Sequence, residues 1–524
     1  MAVFLRRSDL AQPLIKSWDK NIAGFSSDVP VSFQQLADSS FILLANSRSG
    51  IGFDKSQPNR DSTGSTGDFW LIRLDKSGNI IWEKTYGGPG NDVPSALVVL
   101  PNGFIMAGTS SSGVGGEKTD SLRGVFDYWV IAVDTNGIVQ WDKTIGGPLQ
   151  DQLNAMVLTS DFKLFLSGWT LSGVGGDKLS PLLGDFDYWL VKMDLSGNFI
   201  LENTLGGIQA DNCYAMVPTG GGGALLAGYS NSPISFSKTE ISRGGFDYWV
   251  VRVDSLGRRL WDKTIGGPGD DFAFAVAEHP GTARGFLIGG DSFSGPGGEK
   301  SQGCRGGDDY WLVYMAANGN FVWDKTFGGT DYDELNSIRT TANKQILLSG
   351  ESYSPVSGEK SESNLGAEQI WMILVDTTGQ LLFDKTFFTT GHDEYTQAIP
   401  TADHCFMGIT YTAADTGGYR SHNNLGGGDI WLCKLCYAPV GLAPQMVEDG
   451  LLLYPNPAGE DVVVHFTDGN LLSLQIADIN GRKLFAQDMI KKECRLDISY
   501  LKAGIYFITV WTEKGSVTKK LLKL

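Results

Sequence analysis

DYWLVKMD, residues 187–194, is the stretch whose reading decides the fold. With the period of two of a β-strand, Trp189, Val191 and Met193 fall on one face and Tyr188 and Leu190 on the other. A strand that is apolar on both faces belongs to a sheet packed between two neighbours. The segment returns as DFWLIRLD at 68, DYWVIAVD at 127, DYWVVRVD at 247, DYWLVYMA at 309, QIWMILVD at 369 and DIWLCKLC at 429. Its tryptophans are 70, 129, 189, 249, 311, 371 and 431, in steps of 59, 60, 60, 62, 60 and 60. One unit is therefore written seven times.

Each of the first six copies is followed, after a turn of the D-x-x-G type, by a second motif. It reads WEKTYGG at 82, WDKTIGG at 141, LENTLGG at 201, WDKTIGG at 261, WDKTFGG at 323 and FDKTFFT at 383. A seventh relative, WDKNIAG at 18, stands before the first unit. Between the motifs lie apolar stretches split by a turn, such as ALVVL, PNG and FIMAGTS over 96–110. Each unit thus reads as four strands, for instance a at 95–100, b at 103–110, c at 127–134 and d at 138–145. Repeated four-stranded units of this size are the signature of β-propeller blades. The last unit stops after strand c while the chain opens with an orphan strand d at Pro13–Gly24. The expectation is an all-β, seven-bladed β-propeller closed by the N-terminal strand, because closure hides the sheet edges. Twelve of the fourteen Trp occupy the two repeat positions, which places them in the core between blades.

The run formed by Asp134, Gly137 and Trp141 resembles the tryptophan-docking motif of quinoprotein propellers, which has one more residue in the turn. The double Gly is similar to that of kelch repeats, although here it ends strand d. Both resemblances support the propeller, and neither implies a cofactor or an activity.

Composition narrows the function. The 524 residues are 42% apolar and 19% charged, with 68 Gly, which describes a folded chain rich in turns. A net charge of -17 argues against a nucleic-acid partner, whose affinity rests on Lys and Arg. No apolar run is long enough for a membrane-spanning helix. Residues 1–12, MAVFLRRSDLAQ, lack the apolar stretch of a signal peptide and read as a leader remnant or a disordered segment. Six Cys are too few for a disulfide framework. Cys433 and Cys436 spell C-x-x-C, but in a strand they point to opposite faces, and Cys213, Cys304, Cys405 and Cys494 show no ligand spacing.

After the propeller, 13–437, a linker at 438–451 leads to a segment over 452–524 whose alternating strands and Gly turns suggest a small β-sandwich. Pro455, Asn456 and Pro457 open it, Asp478, Asn480, Gly481 and Arg482 mark a middle turn, and Leu501, Gly504 and Tyr506 precede the last hairpin. Lys519, Lys520, Leu521 and Lys523 end it. These motifs resemble the type A C-terminal sorting domain of proteins exported by the type IX secretion system of Bacteroidota. The resemblance implies recognition by the type IX translocon, a secreted or surface-attached product, and usually removal of the domain. It also implies a signal peptide, so the visible start is expected to be trimmed or misassigned. Residues 452–524 hold 10 basic and 8 acidic residues, which leaves 32 basic and 51 acidic elsewhere, net -19.

Two sets of charged residues recur in the propeller. Asp28, Asp92, Asp151, Asp211, Asp271, Asp333 and Asp393 follow the double Gly or its equivalent. Lys55, Lys118, Lys178, Lys238, Lys300, Lys360 and Arg420 lie in the b–c loops. Antiparallel order puts both sets on one face, as structural pairs tying long loops, because a binding site normally breaks symmetry. Symmetry breaks on that face in units five to seven, with Asp308, Asp331, Glu334, His392, Glu394 and His422, while Gly-Gly becomes Phe388 and Thr389. These six are the candidate ligand-binding residues. No cofactor is expected, although oxygen-rich loops suit Ca²⁺, and His with carboxylates suits a transition metal. No hydrolase motif is present, and His279, His404 and His465 fall in or beside strands and hairpins. Near-uniform units favour a binding or adhesion module for a glycan or a surface protein over a polysaccharide hydrolase or lyase, or a structural part of a surface assembly.

Overall fold

The computed structural model describes residues 14–61, 63–282, 284–437, 451–466, 471–478, 481–512 and 515–524. The expectations for 1–12, for most of the linker and for Asn480 lie outside these residues. Among the described residues there is no α-helix. Residues 14–437 build seven four-stranded antiparallel sheets. Blade 1 is Asp28–Gln35, Phe41–Ser47, Asp68–Leu74 and Ile80–Tyr86, strands a to d. Blades 2 to 6 repeat this order from Asp92, Asp151, Asp211, Asp271 and Asp333. In blade 7, strands Asp393–Pro400, Phe406–Thr412 and Asp429–Tyr437 are completed by Leu14–Ile22 from the start of the chain. The a strands touch one another in sequence, and that of blade 7 touches that of blade 1, so they ring a central axis. The fold is a closed seven-bladed β-propeller.

The tryptophans show why the repeat folds this way. All seven strand-c Trp are completely buried. Each indole N–H donates to the strand-d carboxylate of its own blade: Trp70 to Glu83, Trp129 to Asp142, Trp189 to Glu202, Trp249 to Asp262, Trp311 to Asp324 and Trp371 to Asp384, at 2.6–3.1 Å. In blade 7 Trp431 finds Asp19, 412 residues away, at 3.1 Å. On the other face of strand c, Tyr128, Tyr188, Tyr248 and Tyr310 each donate to the carbonyl of the next blade's Trp, at 2.9–3.1 Å. Trp189, Val191 and Met193 pack against Tyr128, Val130 and Leu164 of blades 2 and 3, while Tyr188 and Leu190 pack against Trp249 and Val251 of blade 4.

The second Trp set locks the rim. Trp141 donates to the carbonyl of Leu195 in the next blade's c–d turn at 3.1 Å. A Cβ on Gly197 of that turn, whose φ is +83°, would come within 3.0 Å of the indole. Trp18 meets Gly78 in the same way, so the N-terminal strand grips blade 1 as well as blade 7.

Cys405, just before strand b of blade 7, and Cys436, near the end of its strand c, are disulfide-bonded. The sequence reading found no ligand spacing at Cys405 and gave no sign of this bond. Cys433 stays a buried thiol.

Residues 451–524 form a separate body of two sheets. One pairs Leu451–Tyr454, Asp461–Phe466 and Glu493–Asp497, and the other pairs Lys483–Lys491, Leu471–Asp478, Gly504–Thr512 and Gly515–Lys523. Val462, Val464, Leu474, Ile476, Ile508, Val510 and Leu521 fill the space between. The opening motif is tied to the last strand: Asn456 donates to the carbonyl of Lys520 at 2.8 Å and accepts from the Leu522 amide at 2.9 Å. Gly481 turns at φ +77°, and the Tyr506 hydroxyl donates to the carbonyl of Lys502. Lys519 and Lys520 lie in the final strand opposite Ile508 and Phe507, and Gly504 opens the strand they pair with.

Asp19 accepts from Trp431, from the Ser421 amide at 2.7 Å and from its hydroxyl at 2.6 Å, all in a buried setting. Asp19→Ala is expected to cost about 2–4 kcal/mol, since it strands buried donors, and Asp19→Asn distinctly less, because it keeps one acceptor. Chemical denaturation monitored by Trp fluorescence measures both; equal midpoints for wild type and Asp19→Ala would contradict closure by this strand.

Candidate functional site

The recurring Asp and Lys are buried, not loop-surface groups. Each strand-a Asp is inaccessible to solvent. Asp28 accepts from the Ser47 hydroxyl at 2.5 Å, the Gly24 amide at 2.6 Å and the Ser49 hydroxyl at 2.9 Å. Asp151 is held likewise by Thr170, the Gly147 amide and Ser172. Each Lys ammonium lies over the strand-c indole of its own blade, from 4.9 Å for Lys300 to 5.9 Å for Lys178. It donates to a strand-d threonine, as Lys238 does to Thr264 at 2.8 Å and Lys360 to Thr386 at 2.9 Å. Asp and Lys are thus coupled through the electric field and not by a direct bond. Burial pushes Lys55, Lys238 and Lys360 down to about 8.

Another buried carboxylate set starts strand c. Burial raises Asp68 and Asp187 to about 7 and Asp127 and Asp247 to about 6, with repulsion from the next blade's strand-a Asp adding to it. These carboxylates and the next blade's loop Ser explain the double Gly. A Cβ on Gly146 would meet Asp127 Oδ1 at 2.1 Å, and one on Gly147 would meet Ser172 Cβ at 2.4 Å. Where Phe388 and Thr389 replace the pair, the strand-c Asp is Gln369 and the loop Ser is Ala414. Thr389 then donates its own hydroxyl to Asp393 at 2.9 Å. In blade 7 Arg420 replaces Lys and bonds buried Asp429 at 3.0 Å, while Asn21 replaces Thr and donates to the same carboxylate. The exceptions change together, as contacts require.

The axis is where symmetry ends. Three registered positions face it: the second residue of strand a, the next-to-last of strand b, and the residue before strand c. By blade they read Val29, Asn46, Gly67; Val93, Thr109, Phe126; Gln152, Trp169, Phe186; Asn212, Tyr229, Phe246; Phe272, Asp291, Asp308; Glu334, Glu351, Glu368; and Glu394, Tyr411, Gly428. Blades 2 to 5 give an aromatic arc with ring contacts Phe126–Trp169 at 6.0 Å, Trp169–Phe186 at 5.7 Å, Tyr229–Phe246 at 5.2 Å and Tyr229–Phe272 at 5.0 Å. Blades 5 to 7 give carboxylates.

A cavity of about 900 Å³ opens beside the acidic sector, lined by Glu334, Glu351, Glu368, His392 and Glu394, by Tyr353, Tyr395 and Tyr411, and by Asn46 and Arg48 of blade 1. Burial, reinforced by Glu368, raises Glu351 to about 8. Asp308, raised by burial and by Glu334 to about 7, is buried and does not line the cavity. Asp291 is driven far upward by burial and accepts from the Leu335 amide at 2.7 Å. Of the six candidates, Glu334, His392 and Glu394 meet in this cup. Asp331 is exposed in the d–a loop, where its carboxylate accepts from the Tyr332 amide, and His422 lines a separate cavity of about 440 Å³ with Asn21 and Asp54. Asp291, Glu351, Glu368, Tyr353 and Arg48 escaped the sequence reading, which searched the loops. Aligning the seven repeats at the three positions would have found the first three.

Residues 452–523 match the secretion system C-terminal sorting domain. The chain is accordingly a type IX secretion substrate, a secreted or cell-surface protein. The regulatory protein FlaEY of Caulobacter vibrioides is 24% identical over 315 residues, covering 55% of this chain and 31% of its own, so the chain spans about a third of that relative. Among solved structures, PorZ, an essential surface component of the type IX secretion system of Porphyromonas gingivalis, is 11% identical with a TM-score of 0.40, over 92% of this chain and 58% of its own. Sqt1 from Chaetomium thermophilum is 12% identical with a TM-score of 0.35, over 86% of this chain and 97% of its own. Scores this low say nothing about function.

The buried carboxylates set a pH dependence. Groups held near 6–7 in the fold but near 3.8 when unfolded give the folded state more protons between those values. Their contribution is complete below about pH 4 and is lost as pH rises toward 7. The depressed Lys work oppositely, so stability recovers between about pH 8 and 10.5. Melting temperature against pH is therefore expected to fall from about pH 4.5 to 7, and a rise over that range would contradict the arrangement.

Proposed function

We propose that this secreted or cell-surface propeller is a ligand-binding module whose axial cup takes a neutral glycan. The observation that carries the reading is the broken symmetry at the axis: blades 2 to 5 carry an aromatic arc, whereas the acidic sector of blades 5 to 7 stands beside an open cavity that tyrosines and Arg48 also line. Aromatic faces stack on the C–H faces of sugar rings, and carboxylate, phenol and guanidinium groups bond their hydroxyls. Glu334, Glu351, Glu368 and Glu394 against the one Arg48 disfavour a uronate-rich chain. The disulfide of Cys405 and Cys436 suits an oxidising destination.

One observation favours a second reading. Glu351, raised to about 8, holds its proton at neutral pH, the property of a general acid, so hydrolysis of the same glycan is the alternative. A glycan array probed with the full chain tests the first reading: saturable binding is expected to weaken about tenfold or more in Trp169→Ala and Arg48→Ala without loss of folding. Silence across the array would refute it. Released reducing sugar, abolished by Glu351→Gln, would establish hydrolysis.

For export, residues 452–524 fused behind a passenger carrying a signal peptide are expected to bring it to the surface of a type IX secreting cell. Retention in the periplasm, with a known substrate exported alongside, would overturn the sorting role.

A further inference from the structure

We propose that Glu368, His392 and Glu394 form a binding site for a divalent transition-metal ion of the Zn²⁺ or Mn²⁺ kind, set in the wall of the axial cup. Their ligand atoms lie within 4.8 Å of one another. His392 Nε2 stands 2.6 Å from Glu394 Oε1 and 2.8 Å from Glu368 Oε1. One imidazole nitrogen carries at most one hydrogen, so it cannot satisfy two carboxylate oxygens. The hydrogen-bond geometry is met toward Glu394. Glu368 Oε1 accepts no hydrogen bond, although the Glu368 side chain is only 3% exposed. A buried carboxylate oxygen without a donor is costly, and this one is aimed at the other two ligand atoms. A cation where the three converge satisfies all of them, with His392 presenting its Nε2 lone pair and keeping its hydrogen on Nδ1.

The donor set decides the class of ion. One imidazole and two carboxylates suit Zn²⁺, Mn²⁺ or Fe²⁺, whereas Ca²⁺ takes six to eight oxygens. Bonds of about 2.0–2.2 Å in tetrahedral geometry set ligand atoms roughly 3.3 Å apart, so the group has to open by about half an ångström. His392 and Glu394, 47% and 38% exposed, have the freedom to do so. Tyr353 hydrogen-bonds Glu368 and so orients the buried ligand. None of the earlier blade junctions carries a His at the equivalent place: that of blades 5 and 6 has two carboxylates, Asp308 and Glu334, but Tyr332 between them, and that of blades 4 and 5 has Phe246, Asp270 and Phe272. Any part the ion plays in holding a glycan rests on the reading above, but ion binding itself does not.

The test is isothermal titration of the full chain, stripped with a chelator, with Zn²⁺, Mn²⁺ and Ca²⁺. One equivalent of Zn²⁺ or Mn²⁺ is expected to bind, with Ca²⁺ weaker. Affinity is expected to fall at least about tenfold in Glu368→Gln and His392→Ala and to stay unchanged in His404→Ala, at the opposite end of blade 7. Glu368→Gln preserves shape, and a circular dichroism melt verifies that each variant folds. No saturable Zn²⁺ or Mn²⁺ binding up to about 1 mM, or equal binding in wild type and both variants, overturns the site. Glycan binding that persists where metal binding is absent overturns the metal site alone, whereas saturable metal with a silent array overturns the glycan reading alone.

Discussion

The hydrogen bond from each strand-c indole to the strand-d carboxylate beside it is the constraint on which the propeller depends. It orients a Trp large enough to fill the gap between blades and leaves one indole face open to a buried Lys ammonium. The Lys in turn requires the strand-d Thr and the field of nearby Asp groups, and the strand-c Asp together with the next blade's loop Ser occupies the space that forces two Gly at the end of strand d. One Trp therefore dictates the WDKTxGG motif. The same bond closes the ring, because the N-terminal strand gives Trp431 its carboxylate.

A network this interdependent tolerates change only in concert. The exchange of Gly-Gly for Phe388 and Thr389 together with Gln369 and Ala414, and of Lys and Thr for Arg420 and Asn21, shows that each contact is a two-sided condition. The residues at the mouth of the axis lie outside this network, so its paired contacts do not fix their identity. There the blades diverge, and the molecule acquires its aromatic arc and its acidic wall. Stability is a property of what the repeats share, and the proposed recognition rests on what they do not.

The sorting domain follows different logic. Its two sheets close on an ordinary apolar core, and its motif residues mostly serve turns and strand ends, with Asn456 binding the last strand at its edge. Its near-neutral composition contrasts with the acidic propeller that precedes it.

By itself the sequence determined the number of blades, the order of strands, the closing role of WDKN at 18–21 and the sorting tail, because periodicity and motif spacing are written locally. It also showed where symmetry breaks, at Glu334, His392 and Glu394. Only the tertiary structure decided that the recurring Asp and Lys are buried parts of a Trp cage, that Asp331 and His422 stand apart from the cup, and that Cys405 meets Cys436. It alone joined Glu368 to His392 and Glu394, and Arg48 of the first blade to the last. These juxtapositions arise from strand register and from closure of the ring, which bring together residues up to hundreds of positions apart, and no local pattern encodes such distances.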